Sequence, residues 1–105
     1  VIVLASGETT GENRLAFLQK GVLHQLIKET HGIGVVLEHR YYGESMPKND
    51  LSVDSLRFLD TQQALADYAY FAKHIQFPGL EWELLNSDWT SWIVYGGSYA
   101  GSFAV

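Results

Sequence analysis

Cysteine is absent from the 105 residues, so the chain holds no disulfide framework, thiolate nucleophile or cysteine-based metal site. Basic residues are also scarce: 7 Lys and Arg, scattered singly, stand against 12 Asp and Glu, a net charge of −5. Without a clustered cationic surface there is no electrostatic footprint for phosphate backbones, so neither nucleic acid nor an anionic membrane surface is expected as a partner. No apolar run approaches the roughly 18 residues that a membrane span needs, and the N-terminus is neither Met nor a charged leader. Prolines number only two, and repeats, low-complexity tracts and linkers are missing. What is present, 47% hydrophobic and 18% charged residues, places the chain in the globular class at the length of one domain. Val1 reads as the inside of a strand, and Ala104-Val105 begins a new apolar segment. Both ends are therefore expected to be interior to a longer protein.

Residues 1–5 form a continuous β-branched and apolar run followed by Ser6-Gly7-Glu8-Thr9, the pattern of a strand buried on both faces and then a turn. Over residues 14–29, Leu15, Leu18, Val22 and Leu26 recur at helical spacing, with Gly32 standing at the expected stop. Residues 33–38 repeat the buried-strand signature and lead into a polar, aromatic loop over 39–50. A short helical piece over 54–59 precedes Asp60, an N-cap with Gln63 three residues on, which opens a helix through Ala64, Tyr68 and Ala72 to Ile75. Residues 80–90 connect to a third strand over 91–95. Strands alternating with amphipathic helices predict an α/β fold around a parallel sheet covered on both faces. Ligands in such sheets bind outside the carboxyl ends of the strands, so the loops after Ala5, Glu38 and Tyr95 are expected to converge on one rim.

The third of these loops carries the sharpest signal, Gly96-Gly97-Ser98-Tyr99-Ala100-Gly101. A nucleophile elbow places a serine on a strained strand-to-helix turn, and small residues two positions to either side let strand and helix approach. Gly96 and Ala100 occupy those positions, Ala100 departing by one methyl group from the usual G-x-S-x-G. The plainer alternative is a glycine-rich turn or phosphate cradle at a helix start. No P-loop lysine follows, however, and G-x-G-x-x-G is absent.

A serine hydroxyl needs a neighbouring base to take its proton. On this architecture the order is Ser, then Asp or Glu, then His, yet only seven residues follow Ser98. His24, His31 and His74 belong to helices or their ends and read as surface or packing groups; His39 follows a strand on the functional rim but precedes the nucleophile. The base and its orienting acid are accordingly expected beyond residue 105. Two backbone donors should face the developing oxyanion: the Tyr99 N–H, and one from the loop after the first strand, at Gly7 or Glu8. The Glu8 side chain reads either as a solvated carboxylate or as a group that grips a substrate amine.

Three segments together carry a family resemblance: Glu38-His39-Arg40-Tyr41-Tyr42-Gly43-Glu44-Ser45; Leu56-Arg57-Phe58-Leu59 with Gln63-Ala64-Leu65-Ala66-Asp67; and the elbow. They resemble the prolyl carboxypeptidase and dipeptidyl peptidase II family of serine peptidases, with Thr9 standing where that family commonly has glycine. The resemblance implies a partial α/β-hydrolase fold, residues 1–105 being the N-terminal part of one catalytic domain. Its helical cap, acid and histidine would lie downstream. It implies peptide substrates often cleaved after proline, by a carboxypeptidase or dipeptidyl peptidase acting through an acyl-enzyme on Ser98. It further implies a secreted, lysosomal or vacuolar location; no cofactor or metal is expected. Ser98 is then the nucleophile, Tyr99 an oxyanion donor, and Tyr41-Tyr42 scaffold near the rim. Arg40 is expected to pair with Glu38, and Trp82, Trp89 and Trp92 to pack. Rival readings are an esterase or lipase on the same scaffold, and a non-catalytic interaction protein; the 105 residues alone are expected to be inactive.

Overall fold

In a computed structural model that describes residues 1–105, Ile2–Ala5 forms β1, the middle strand of three. A 3-10 helix (Gly11–Leu18) and α1 (Gly21–Glu29) lead to β2 (Gly34–Leu37). A second 3-10 turn (Ser55–Phe58) precedes α2 (Thr61–His74), β3 (Ile93–Tyr95) and a third 3-10 helix (Ser98–Phe103). Both strand pairings are parallel, and the order is β2-β1-β3, with Leu4 aligned to Val36 on one side and to Tyr95 on the other. The chain therefore leaves β1 to one side and returns to its other side. That reversal opens a crevice at the carboxyl ends of β1 and β3.

Side chains along β1 alternate between the faces of the sheet. Val3 and Ala5 pack with Ala64, Tyr68, Ala100 and Phe103, whereas Ile2 and Leu4 pack with Leu23 and are flanked by Leu18, Ile27 and Val36. Helices thus flank a three-stranded parallel sheet, as the α/β reading expects. Only β1 is buried throughout; β2 is half-buried, and β3 exposes Ile93 and Tyr95. The expectation that every strand is covered on both faces is corrected here, because β2 and β3 have one strand neighbour each and the α1 cluster lies over β1 and β2.

The helix expected over residues 14–29 is two helices. Thr10 starts the first by accepting the Glu12 N–H at 3.3 Å, and the chain then turns a corner at Gly21, whose φ of +84° no continuous right-handed helix contains. Asp60 caps α2 as expected: its carboxylate accepts the Gln63 N–H at 2.9 Å and the Gln63 side-chain amide at 2.8 Å. The tryptophans divide. Trp92 packs against Phe71 and Phe77 and donates to the Leu85 carbonyl at 2.8 Å. Trp82 and Trp89 are 73% and 71% exposed, so their expected packing does not occur: the 80–90 connection runs outside the core.

Candidate active site

Strand β3 ends at Tyr95, and after Gly96 and Gly97 the backbone turns at Ser98 with φ of 55°, a left-handed conformation uncommon for a residue with a Cβ. The turn is crowded on its inner side and open on its outer side. A Cβ at Gly96 would fall on the Ala100 carbonyl oxygen, so only glycine fits there, while Gly97 and Ser98 are exposed. A local strain of this kind persists only where surrounding packing holds it. Ala100, 4% exposed, and Phe103 supply that packing on the α2 side of the sheet.

The loop after β1 meets this turn. Gly7, at φ +68°, lies so close to Ala100 that an added Cβ would stand 3.2 Å from the alanine methyl. The methyl that departs from G-x-S-x-G therefore fills space between the two loops. Tyr99 sits in the first turn of its helix, where a backbone N–H has no intrahelical acceptor. Glu8 is exposed and shares a small pocket of about 150 Å³ with His39, Tyr42, Thr61 and Tyr99.

The loop after β2 completes the rim through His39, which is 1% exposed. Its backbone N–H donates to Ser6 Oγ at 3.2 Å. Its Nδ1 lies 2.7 Å from the Arg40 carbonyl and must carry a proton to bond there; Nε2, 3.2 Å from the Tyr99 hydroxyl, is then an acceptor in the neutral ring. Tyr99 Oη also lies 3.0 Å from Thr61 Oγ1, so one chain of bonds links all three loops to the start of α2. Stacking of the imidazole on Phe103 and edge contact with Tyr42 enclose it. Both ring nitrogens are engaged away from Ser98. His24 and His74 likewise direct Nδ1 to the carbonyls of Leu18 and Tyr70, at 2.9 Å each. Of the expected residues, the structure thus gathers Ser98, Tyr99, Gly7 and Glu8 at one rim, with no histidine hydrogen-bonded to the serine.

Glu38 and Arg40 take different partners from the pair expected. Arg40 forms a two-pronged ion pair with Asp67, at 2.6 and 2.7 Å, and also donates to Gln63 Oε1 and the Phe58 carbonyl. Glu38 instead collects the Ser45 hydroxyl at 2.7 Å, the Ser45 and Glu44 N–H groups, the Gly11 N–H and the Thr10 hydroxyl. These bonds, Ser45 foremost, hold its carboxyl down at about 2. Gly43 turns the loop around this carboxylate, since a Cβ there would strike it.

A cavity of about 500 Å³ lies at the β1–β3 crevice, with Ser98, Ser6, Arg14, Phe17, Leu23 and Tyr95 in its wall. Arg14 is the residue that the periodicity concealed. It stands at the start of the helix expected over 14–29 and carries no reading there; Thr10 followed by acidic Glu12 is the available sign of an earlier helix start that turns it inward. No group of three or more His, Cys, Asp or Glu side chains is placed to hold a metal ion, and no helix is long and apolar enough to cross a membrane.

Residues 2–105 match the serine carboxypeptidase S28 family. Among curated proteins, the chain is 62% identical over 101 residues to the "Probable extracellular serine carboxypeptidase" of Arthroderma benhamiae, covering 96% of this chain and 14% of that protein. It is 42% identical over 89 residues to the "Lysosomal Pro-X carboxypeptidase" of Homo sapiens, covering 80% and 16%. It is 45% identical over 71 residues to the "Thymus-specific serine protease" of Mus musculus, covering 67% and 13%. The chain thus spans about one-seventh of the length of these relatives.

Proposed function

The chain belongs to the serine carboxypeptidase S28 family, and on that premise we propose that it is the N-terminal part of an α/β-hydrolase catalytic domain whose nucleophile is Ser98. The observation that carries this is the exposed serine at φ 55° immediately after β3, on the rim where the β1 loop and the elbow touch. In the reaction, Ser98 Oγ attacks the scissile peptide carbonyl as its proton passes to a histidine base. That base comes from outside these 105 residues: the rings of His24, His39 and His74 bond to other groups, and no histidine bonds to Ser98. The N–H groups of Tyr99 and of Gly7 or Glu8 hold the tetrahedral oxyanion. The leaving amine departs with the proton, and water then cleaves the serine ester.

Peptides are the substrate class, with proline preceding the scissile bond. The family resemblance and the Pro-X specificity in the human relative's name support that preference. The names of relatives, extracellular in one case and lysosomal in another, support a secreted or lysosomal location. Glu8, exposed beside Tyr99, is either a solvated carboxylate or a group that would grip a substrate amine. The 105 residues alone are inactive for want of a base.

Labelling the full-length protein with a fluorophosphonate and mapping the adduct tests the proposal. The adduct is expected on Ser98, with Ser98→Ala abolishing both labelling and cleavage of a proline-containing peptide; labelling of another residue overturns it. Hydrolysis of a short-chain ester without any peptide cleavage would point to an esterase instead.

A further inference from the structure

We propose that Arg14 recognises the free C-terminal carboxylate of the substrate and that the apolar wall beside it takes the side chain of the last residue. The inference rests on the peptidase reading of Ser98 and extends it to what occupies the crevice. Arg14 and Ser98 line the same cavity of about 500 Å³, a volume in the range of small-ligand sites. The chain carries a net charge of −5, yet no Asp or Glu contributes to that wall. Among these 105 residues the one ion pair between side chains joins Arg40 to Asp67, and Arg14 pairs with no acid of this segment.

Its orientation is nonetheless held. Nε donates to the Ser6 carbonyl at 3.3 Å, at the carboxyl end of β1, and the guanidinium carbon lies 6.0 Å from the centre of the Phe17 ring. The terminal nitrogens remain for a ligand. A guanidinium fixed at one edge presents its other donors as a fork that matches a carboxylate. In a peptide losing its last residue, the terminal carboxylate follows the scissile carbonyl by one residue, about 3.6 Å of extended chain. It must therefore enter the same crevice as the serine. Leu4, Phe17, Val22, Leu23 and Tyr95 make the surrounding wall chiefly apolar, which suits a hydrophobic terminal side chain.

The test uses the full-length protein and an N-blocked peptide ending in Pro-Phe, offered as the free acid and as the C-terminal amide. The wild-type protein is expected to favour the acid in kcat/KM by about tenfold to a hundredfold, the range that a hydrogen bond to a charged group supplies. Arg14→Gln is expected to raise KM for the acid and bring the acid-to-amide ratio to within about threefold, with Arg14→Lys intermediate. An unchanged ratio in Arg14→Gln overturns the assignment. So does a wild-type protein indifferent to the acid, a result that needs no variant to fold. Fluorophosphonate mapping on the same preparations separates the two claims. A labelled Ser98 with an unchanged ratio removes the Arg14 assignment alone, whereas no label on Ser98 removes the peptidase reading beneath it.

Discussion

Glu38 shows how a side chain outside the walls of the Ser98 cavity can set the shape of the loops around it. Its carboxylate gathers donors from the loop it begins and from the turn before the first 3-10 helix, tying residues 10–11 to residues 44–45. With its carboxyl at about 2 in the folded chain against an ordinary 4.5, the folded state binds the proton less readily than the unfolded state. The stabilisation is therefore complete above pH 4.5 and is lost as pH falls toward 2. Urea midpoints of the full-length protein are expected to fall across that window. Glu38→Gln should flatten the dependence and cost about 1–3 kcal/mol at neutral pH; an unaltered acid limb in the variant would contradict this. The string from Glu38 to Ser45 was legible as a distinctive segment, but its pairing was not. On a continuing strand the two charges would share a face, but β2 ends at Leu37 and the chain turns from Arg40, so Arg40 reaches α2 and Glu38 the neighbouring loops.

Helix ends divide into those the sequence announces and those that only the backbone reveals. Asp60 and Gln63 announce the start of α2 by residue type and spacing. The end of α1 is different. The Gly32 N–H bonds to the Ile27 carbonyl and the His31 N–H to the Lys28 carbonyl, so the left-handed position falls on His31, at φ 50°, and not on the glycine that follows. Replacing His31 with Gly should relieve that conformation and raise stability by about 0.5–1 kcal/mol, read as a higher urea midpoint; a lower midpoint would show that the imidazole contributes contacts of its own. The corner at Gly21 escaped the periodicity for a related reason. Leu15, Leu18, Val22 and Leu26 keep helical spacing across it, and hydrophobic pattern reports faces without reporting φ.

Taken as one body, the chain places its proposed nucleophile where its topology changes direction. Alternating strands and helices were readable from apolar runs, and with them the α/β class and the gathering of three loops at the carboxyl ends of the strands. The order β2-β1-β3 was not readable, because periodicity carries no pairing information. Nor were the approach of Gly7 to Ala100, the bond from His39 to Tyr99, or the turning of Arg14 toward the crevice. Each depends on residues far apart in sequence. The sheet organises them all around Ser98, and the whole account depends on that serine and on the donors beside it. The most direct measurement is a crystal structure of the full-length protein inactivated with a fluorophosphonate. The account expects phosphorus bonded to Ser98 Oγ and the phosphoryl oxygen about 3 Å from the Tyr99 N–H and from the N–H of Gly7 or Glu8. Phosphorus on another residue, or a phosphoryl oxygen turned away from Tyr99, would contradict it.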